Sequence, residues 1–154
     1  MAELELPRGM HPSRIDEKGR LKLPAGFQEY FNSLPEKKLF VTSLDRYIAQ
    51  IYPISVWREN ENFFLNYREN PRLAKAIAFN ANDLGSDSEM DAQGRVLFSP
   101  ELRRELRLEN QPVKLCAHRG RIEIYSDGVY QAKKLQAAES TAEAVEVLER
   151  AGLK

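Results

Sequence analysis

Cysteine is nearly absent from this 154-residue chain: Cys116 stands alone, so no internal disulfide forms and no cysteine zinc cage can be assembled. Long apolar runs are missing as well. None approaches the roughly 18 residues needed to span a bilayer, which argues against an integral membrane protein. The opening Met-Ala-Glu-Leu-Glu-Leu-Pro lacks the basic start and apolar stretch of a secretory signal. With the lone thiol, this points to a reducing, cytoplasmic location. Neither charge is in excess, because 23 Lys and Arg face 23 Asp and Glu. The chain is therefore no bulk polycation, and nucleic-acid contact would have to come from a local patch. Histidine is scarce, and there is no phosphate-cradling Gly-rich loop, metalloprotease helix or serine-centred elbow. Neither a metal cluster nor a cofactor motif appears. Cys116 and His118 suggest a nucleophile with a base, but alternate residues of a strand share a face by default. The pair reads as packing and surface, and the chain as no enzyme.

Apolar residues make up 42% of the chain, with seven Phe, six Tyr and one Trp, enough to build a core. The sequence also repeats itself. Asp16-Glu-Lys-Gly-Arg20 and Asp91-Ala-Gln-Gly-Arg95 align at an offset of 75, which brings Leu21, Leu23 and Phe27 onto Val96, Phe98 and Leu102. Further on the offset falls to 73, where Arg46, Ile51, Tyr52, Val56 and Trp57 meet Arg119, Ile124, Tyr125, Val129 and Tyr130. A match that survives a two-residue slip marks a tandem duplication.

Each copy reads alike. An Asp-x-x-Gly turn comes first, Asp capping nearby N–H groups and Gly (Gly19, Gly94) supplying a positive φ. A short strand follows (20–23, 95–98), then a brief helix (25–31, 100–106), with Ser99 and Pro100 as cap and first-turn residue. Two further strands follow in each copy, 39–42 with 49–52 and 113–116 with 121–125. Amphipathic helices are expected at 54–67 and 129–151, a shorter one at 72–79, and a polar loop at 80–88. This divides the chain into a first repeat (7–53), connecting helices (54–82), a second repeat (83–127) and a C-terminal helix (128–154). Repeats so small do not close a good core alone, so the two copies are expected to interlock around a shared, barrel-like core.

At these residues the sequence resembles the MraZ family, bacterial transcriptional regulators built from two tandem AbrB-like (SpoVT/AbrB) repeats. The paired Asp-x-x-x-Arg motifs carry the resemblance. It is supported by Arg8-Gly9, Leu21-Lys-Leu-Pro24, Val96-Leu-Phe-Ser-Pro100, Ile51-Tyr52-Pro53, Trp57 and Asn70-Pro71, and it covers Arg8 to Lys133; Met1–Leu6 is then a short extension. The resemblance implies an α+β fold in which two swapped-hairpin repeats form an intertwined β-barrel flanked by helices. It also implies a homo-oligomeric ring, eight subunits being one candidate number, on nucleoid DNA. The implied target is G-rich direct repeats in double-stranded DNA upstream of the division and cell-wall gene cluster, with repression of that operon and its own gene.

Local charge ranks the two motifs. Arg14, Lys18, Arg20 and Lys22 outweigh Asp16 and Glu17, whereas Arg95 is outweighed by Glu89 and Asp91. Phosphate contact needs positive charge, so the first motif is the better candidate DNA face, with Arg95 added by the family pattern. Asp16 and Asp91 read as turn-stabilising partners of Arg20 and Arg95. Trp57, Phe63, Phe64 and Tyr67 could stack on bases, but their helical spacing reads as core or subunit packing. The competing reading is an oligomeric scaffold, or an antitoxin-like partner binder, using the C-terminal helix and silent toward DNA.

Overall fold

The computed structural model describes residues 4–139 and 141–154. Part of the expected N-terminal extension, and residue 140 within the expected C-terminal helix, lie outside the described residues. The chain is α+β, with eight strands and six helices among them. In order, these are β1 (Met10–Arg14), β2 (Arg20–Lys22), α1 (Ala25–Ser33), β3 (Lys38–Thr42), β4 (Ala49–Pro53), α2 (Ile54–Asn66) and α3 (Pro71–Leu84). The second half adds β5 (Ser86–Glu89), β6 (Arg95–Leu97), α4 (Pro100–Leu106), β7 (Pro112–His118), β8 (Arg121–Ser126), α5 (Asp127–Ala138) and α6 (Thr141–Ala151).

Six strands make an open sheet in the order β1-β7-β8-β4-β3-β5, and β2 with β6 makes a separate two-stranded ribbon. Every pairing is antiparallel. The halves exchange strands: β1 lies on β7 with Met10 opposite Cys116, and β5 lies on β3 with Lys38 opposite Glu89. The two hairpins meet at the centre, where Ala49 faces Ile124. One buried cluster runs through both halves, from Ile15, Leu21 and Phe27 to Val96, Phe98, Leu102 and Ile124. Neither half has a separate core of that size, so apolar burial, the main favourable term in folding, holds the two together.

The helices follow local chemistry. Ser99 accepts from Leu102 N–H and Pro100 occupies the first turn of α4, which buries Leu102 and Leu106 on one face. In α1, Phe27 and Phe31 bury at i and i+4. In α3, Asn70 caps Leu73 N–H, with Pro71 next. The β7–β8 turn carries Arg119 and Gly120 at φ 51° and 80°, the doubly positive φ of a tight hairpin turn.

Several expectations are corrected. The polar stretch 80–88 is not a loop: α3 runs on to Leu84, and Ser86–Glu89 is β5. Asn80 is polar because Nδ2 donates to Leu44 O at 2.9 Å and Oδ1 accepts from Arg46 Nε at 2.7 Å. Ala81 and Leu84 meanwhile extend the buried side of α3. Strands β1 and β5 were not expected either. Both are edge strands of alternating intermediate and exposed residues, and an edge is where Pro12 is tolerated in a ladder. The expected single C-terminal helix is two: α5 ends at Ala138, and Glu139 is extended. Neither α5 nor α6 buries a residue.

Candidate nucleic-acid interface

The two Asp-x-x-Gly-Arg segments fold into the same turn. Asp16 Oδ1 accepts from Lys18 N and Arg20 N at 2.9 and 3.0 Å, and Oδ2 accepts from Arg20 Nε at 2.9 Å. Asp91 repeats this on Gln93 N, Arg95 N and Arg95 Nε at 2.9, 2.9 and 3.0 Å. These bonds favour the ionised form, so each carboxyl is held below the ordinary aspartate range. The N–H of Arg20 or Arg95 is the largest cause, partial desolvation opposes it, and the guanidinium reinforces it. Gly19 and Gly94 take φ of 84° and 77°, a region that L side chains resist.

The turns do not stand apart. Leu23 N donates to Gly94 O and Phe98 N to Gly19 O, both at 2.9 Å, so each motif's strand ends against the other motif's turn. In the ribbon, Arg20 faces Leu97, Leu21 faces Val96 and Lys22 faces Arg95. Leu21 and Val96 are fully buried. Period-two alternation then puts Arg20, Lys22, Arg95 and the half-exposed Leu97 on the opposite, outer face.

This redistributes the candidate residues. Lys18 is exposed at the first turn, and Arg20 is clamped to Asp16 beside it. Lys22 belongs to the first motif in sequence but to the second turn in space, its ammonium donating to Gln93 O. Arg95 is clamped to Asp91 at that same end. The face is thus one ribbon with cations at both ends rather than one basic motif beside an acidic one. Arg14 stands at the end of β1, between Ser13 and Ile15, which contact Lys22 and Leu21 of β2; its Nη2 donates to Asn110 O at 2.9 Å and to Asn110 Oδ1 at 3.0 Å.

Two residues under the turns escaped sequence reasoning. A Cβ on Gly19 would fall 1.3 Å from Arg103 Nη1, and one on Gly94 would fall 2.2 Å from Gln28 Cδ. Gln28 and Arg103 occupy matching positions at the offset of 75, a signal the sequence contained but their unlike chemistry obscured. Arg103 is largely buried, with Nε 3.9 Å from Glu109 Oε1.

The other candidates fall elsewhere. Trp57 is buried among Phe40, Tyr52 and Phe64, as core packing requires, whereas Phe63 is exposed. Burial pushes the Cys116 thiol up, with Glu123 adding to the shift, the opposite of an activated nucleophile. Among the described residues no group of three His, Cys, Asp or Glu could hold a metal ion, and no helix is long and apolar enough to cross a membrane.

Comparison with known proteins bears on the same segments. The family described as "MraZ protein, putative antitoxin-like" matches residues 86–150, from β5 into α6. The transcriptional regulator MraZ of Acidobacterium capsulatum is 42% identical over 98 residues, spanning 64% of this chain and 66% of that protein. Its namesake in Koribacter versatilis is 40% identical over 100 residues, spanning 64% and 67%. The Neisseria meningitidis protein of that name is 30% identical over 134 residues, spanning 84% of this chain and 85% of its own. The chain belongs to the MraZ family. In this chain, each Asp-x-x-x-Arg motif has a local physical role: it is a self-capped turn that aims a cation outward from a ribbon.

Proposed function

We propose that this MraZ-family chain is a sequence-specific, double-stranded-DNA-binding transcriptional regulator, and that the outer face of the β2–β6 ribbon is its DNA surface. The observation that carries the proposal is the antiparallel ribbon with Arg20, Lys22 and Arg95 outward and Lys18 at its tip. A two-stranded ribbon fits the major groove, and neutralised phosphates release counterions. The relatives' name, transcriptional regulator, supports the same reading. Arg20 and Arg95 are pre-set by their carboxylates, while among the described residues Lys18 and Lys22 have no carboxylate partner.

We further propose that the exchanged strands and the ribbon together form the intertwined AbrB-like barrel of two tandem repeats. Divided as 7–53, 54–82, 83–127 and 128–154, the chain would assemble into a ring on nucleoid DNA. One ribbon of four cations partly balanced by Asp16, Asp91 and Glu17 binds weakly. Linked copies on successive G-rich direct repeats raise affinity by roughly 10²–10⁴. The target that fits this reading is the division and cell-wall gene cluster including the protein's own gene, with repression as the output.

The test is fluorescence anisotropy on the DNA upstream of the gene, across a salt series. Lys18→Ala with Lys22→Ala should flatten the slope of log K against log salt by about 1.8, two contacts at about 0.9 each, with the oligomer unchanged. Parent-like slope and affinity in the double variant would remove the ribbon as the DNA surface. A second reading, a DNA-silent interaction module, is favoured by one observation: α5 and α6 bury nothing and expose Leu135, Val145 and Leu148. An oligomer without any salt-sensitive DNA shift would decide for it.

A further inference from the structure

The C-terminal helix has an apolar face with nothing packed on it. In α6, Ala144, Val145, Leu148 and Ala151 recur at i, i+1, i+4 and i+7, with Val147 at the margin of the stripe, and none is buried. A helix of 11 residues is marginal in water without tertiary packing, so α6 needs a surface to lie on. Glu143 is four residues before Val147 and Glu149 four after Val145, so an acid borders the stripe on each side. Glu146 lies on the outer side, 3.8 Å from Arg150.

A surface of the opposite charge lies between α5 and the β1 edge of the sheet. Met10, Tyr125, Tyr130, Lys133, Lys134 and Ala137 line a cleft of about 240 Å³, smaller than the usual small-molecule site. Its α5 wall runs from Tyr130 to Ala137 at i, i+3, i+4 and i+7, a strip about 10 Å long. Lys114, whose Nζ lies 5.3 Å from the Tyr130 ring centroid, joins Lys133 and Lys134 at the rim. Among the described residues none of these three lysines pairs with a carboxylate. Glu123, the acid on β8, is already engaged by Arg121 and the Tyr125 hydroxyl.

We propose that this cleft receives α6 of a second copy of the chain, its apolar stripe on Met10, Tyr130 and Ala137 and its acidic edges against the lysine rim. A basic, apolar strip along a helix fits an acidic, amphipathic helix, and every copy carries one such helix. Within its own chain α6 begins two residues beyond the end of α5 and buries no residue, so the cleft is left open. The contact rests on the ring reading above and deepens it. The helix and the cleft are different surfaces, and a one-way contact of that kind passes from copy to copy until it closes.

Charge reversal in the full-length chain tests this, read by analytical ultracentrifugation without DNA. One variant carries Lys133→Glu and Lys134→Glu, the other Glu143→Lys and Glu149→Lys. All four side chains are exposed, so circular-dichroism spectra should match the parent. Each variant alone should need at least tenfold more protein to assemble, because edge pairs are lost and like charges meet. An equimolar mixture should regain the parent's mass, since the α6 of each variant fits the cleft of the other. Parent-like assembly in either variant, or a mixture as weak as its components, would overturn the proposal and leave a ring built on another contact. Variants that keep the parent's mass but melt lower, with the loss reversed when all four changes are combined, would also overturn it and give the cleft to the chain's own α6. A parent that stays monomeric at every concentration would remove the ring and this contact together.

Discussion

Replacing Gly19 by alanine tests how the ribbon is held. The residue sits at φ 84°, and the added Cβ would meet Arg103 at 1.3 Å from Nη1 and 2.8 Å from Cδ. The left-handed backbone costs about 1–2 kcal/mol for a residue with a Cβ. Displacing a side chain that is only 15% exposed adds roughly 1–2 kcal/mol of overpacking. The sum, about 3 kcal/mol, lowers the melting temperature by roughly 6–12 °C in a chain of this size. Circular-dichroism melts of the four proteins in a Gly19→Ala and Arg103→Ala cycle separate the two causes. In the Arg103→Ala background the steric part vanishes, and about half the penalty remains. Gly94→Ala should lose less than Gly19→Ala, because it meets only the amide end of Gln28. An equal penalty in both Arg103 backgrounds, or none in either, would refute the packing of α4 against the first turn.

Further expectations follow from the same geometry. Asp16 and Asp91 have depressed folded-state pKa values. Their contribution is complete above the unfolded aspartate range and lost as pH falls through the lower folded values. Melts between about pH 5 and 2, the range around and below the ordinary aspartate pKa, should show that loss in the parent and less of it in an Asp16→Asn, Asp91→Asn variant. Tyr125 is pushed up to about 12 by burial and then by Glu123, whose Oε1 accepts its hydroxyl at 3.0 Å. A raised phenol stabilises fully below its unfolded pKa and ceases to do so as pH rises through about 12. Tyr125→Phe should therefore lose less stability than the parent between neutral and strongly alkaline pH. Ser99→Ala removes the α4 cap and should cost about 1 kcal/mol, or roughly 2–4 °C, in thermal melts.

Much of the local structure was legible because it is local. Asp16 and Gly19 specify their turn within five residues, Ser99 and Pro100 specify the start of α4, and Phe27 with Phe31 mark its counterpart α1 by spacing. The misreadings share a cause. Ser86–Glu89 and Met10–Arg14 carry too little apolar alternation to announce a strand, and they become strands only because the other half of the chain offers an edge. Asn80 and Asp83 look like loop residues until Arg46 is seen to bind both, through Nε to Asn80 and Nη2 to Asp83. The Lys22 side chain was assigned to its neighbours in sequence, whereas an antiparallel register of three residue pairs carries it to the other motif's turn.

The amino-acid sequence alone therefore determined the duplicated turn–strand–helix unit, its apolar face and the family resemblance, since each depends on residues within a few positions of one another. The tertiary structure decided which strand of one unit lies on which hairpin of the other. It also decided that the cations of both motifs share one outer face. Those outcomes depend on a backbone register and a packing arrangement between distant segments, and no short window of sequence encodes either.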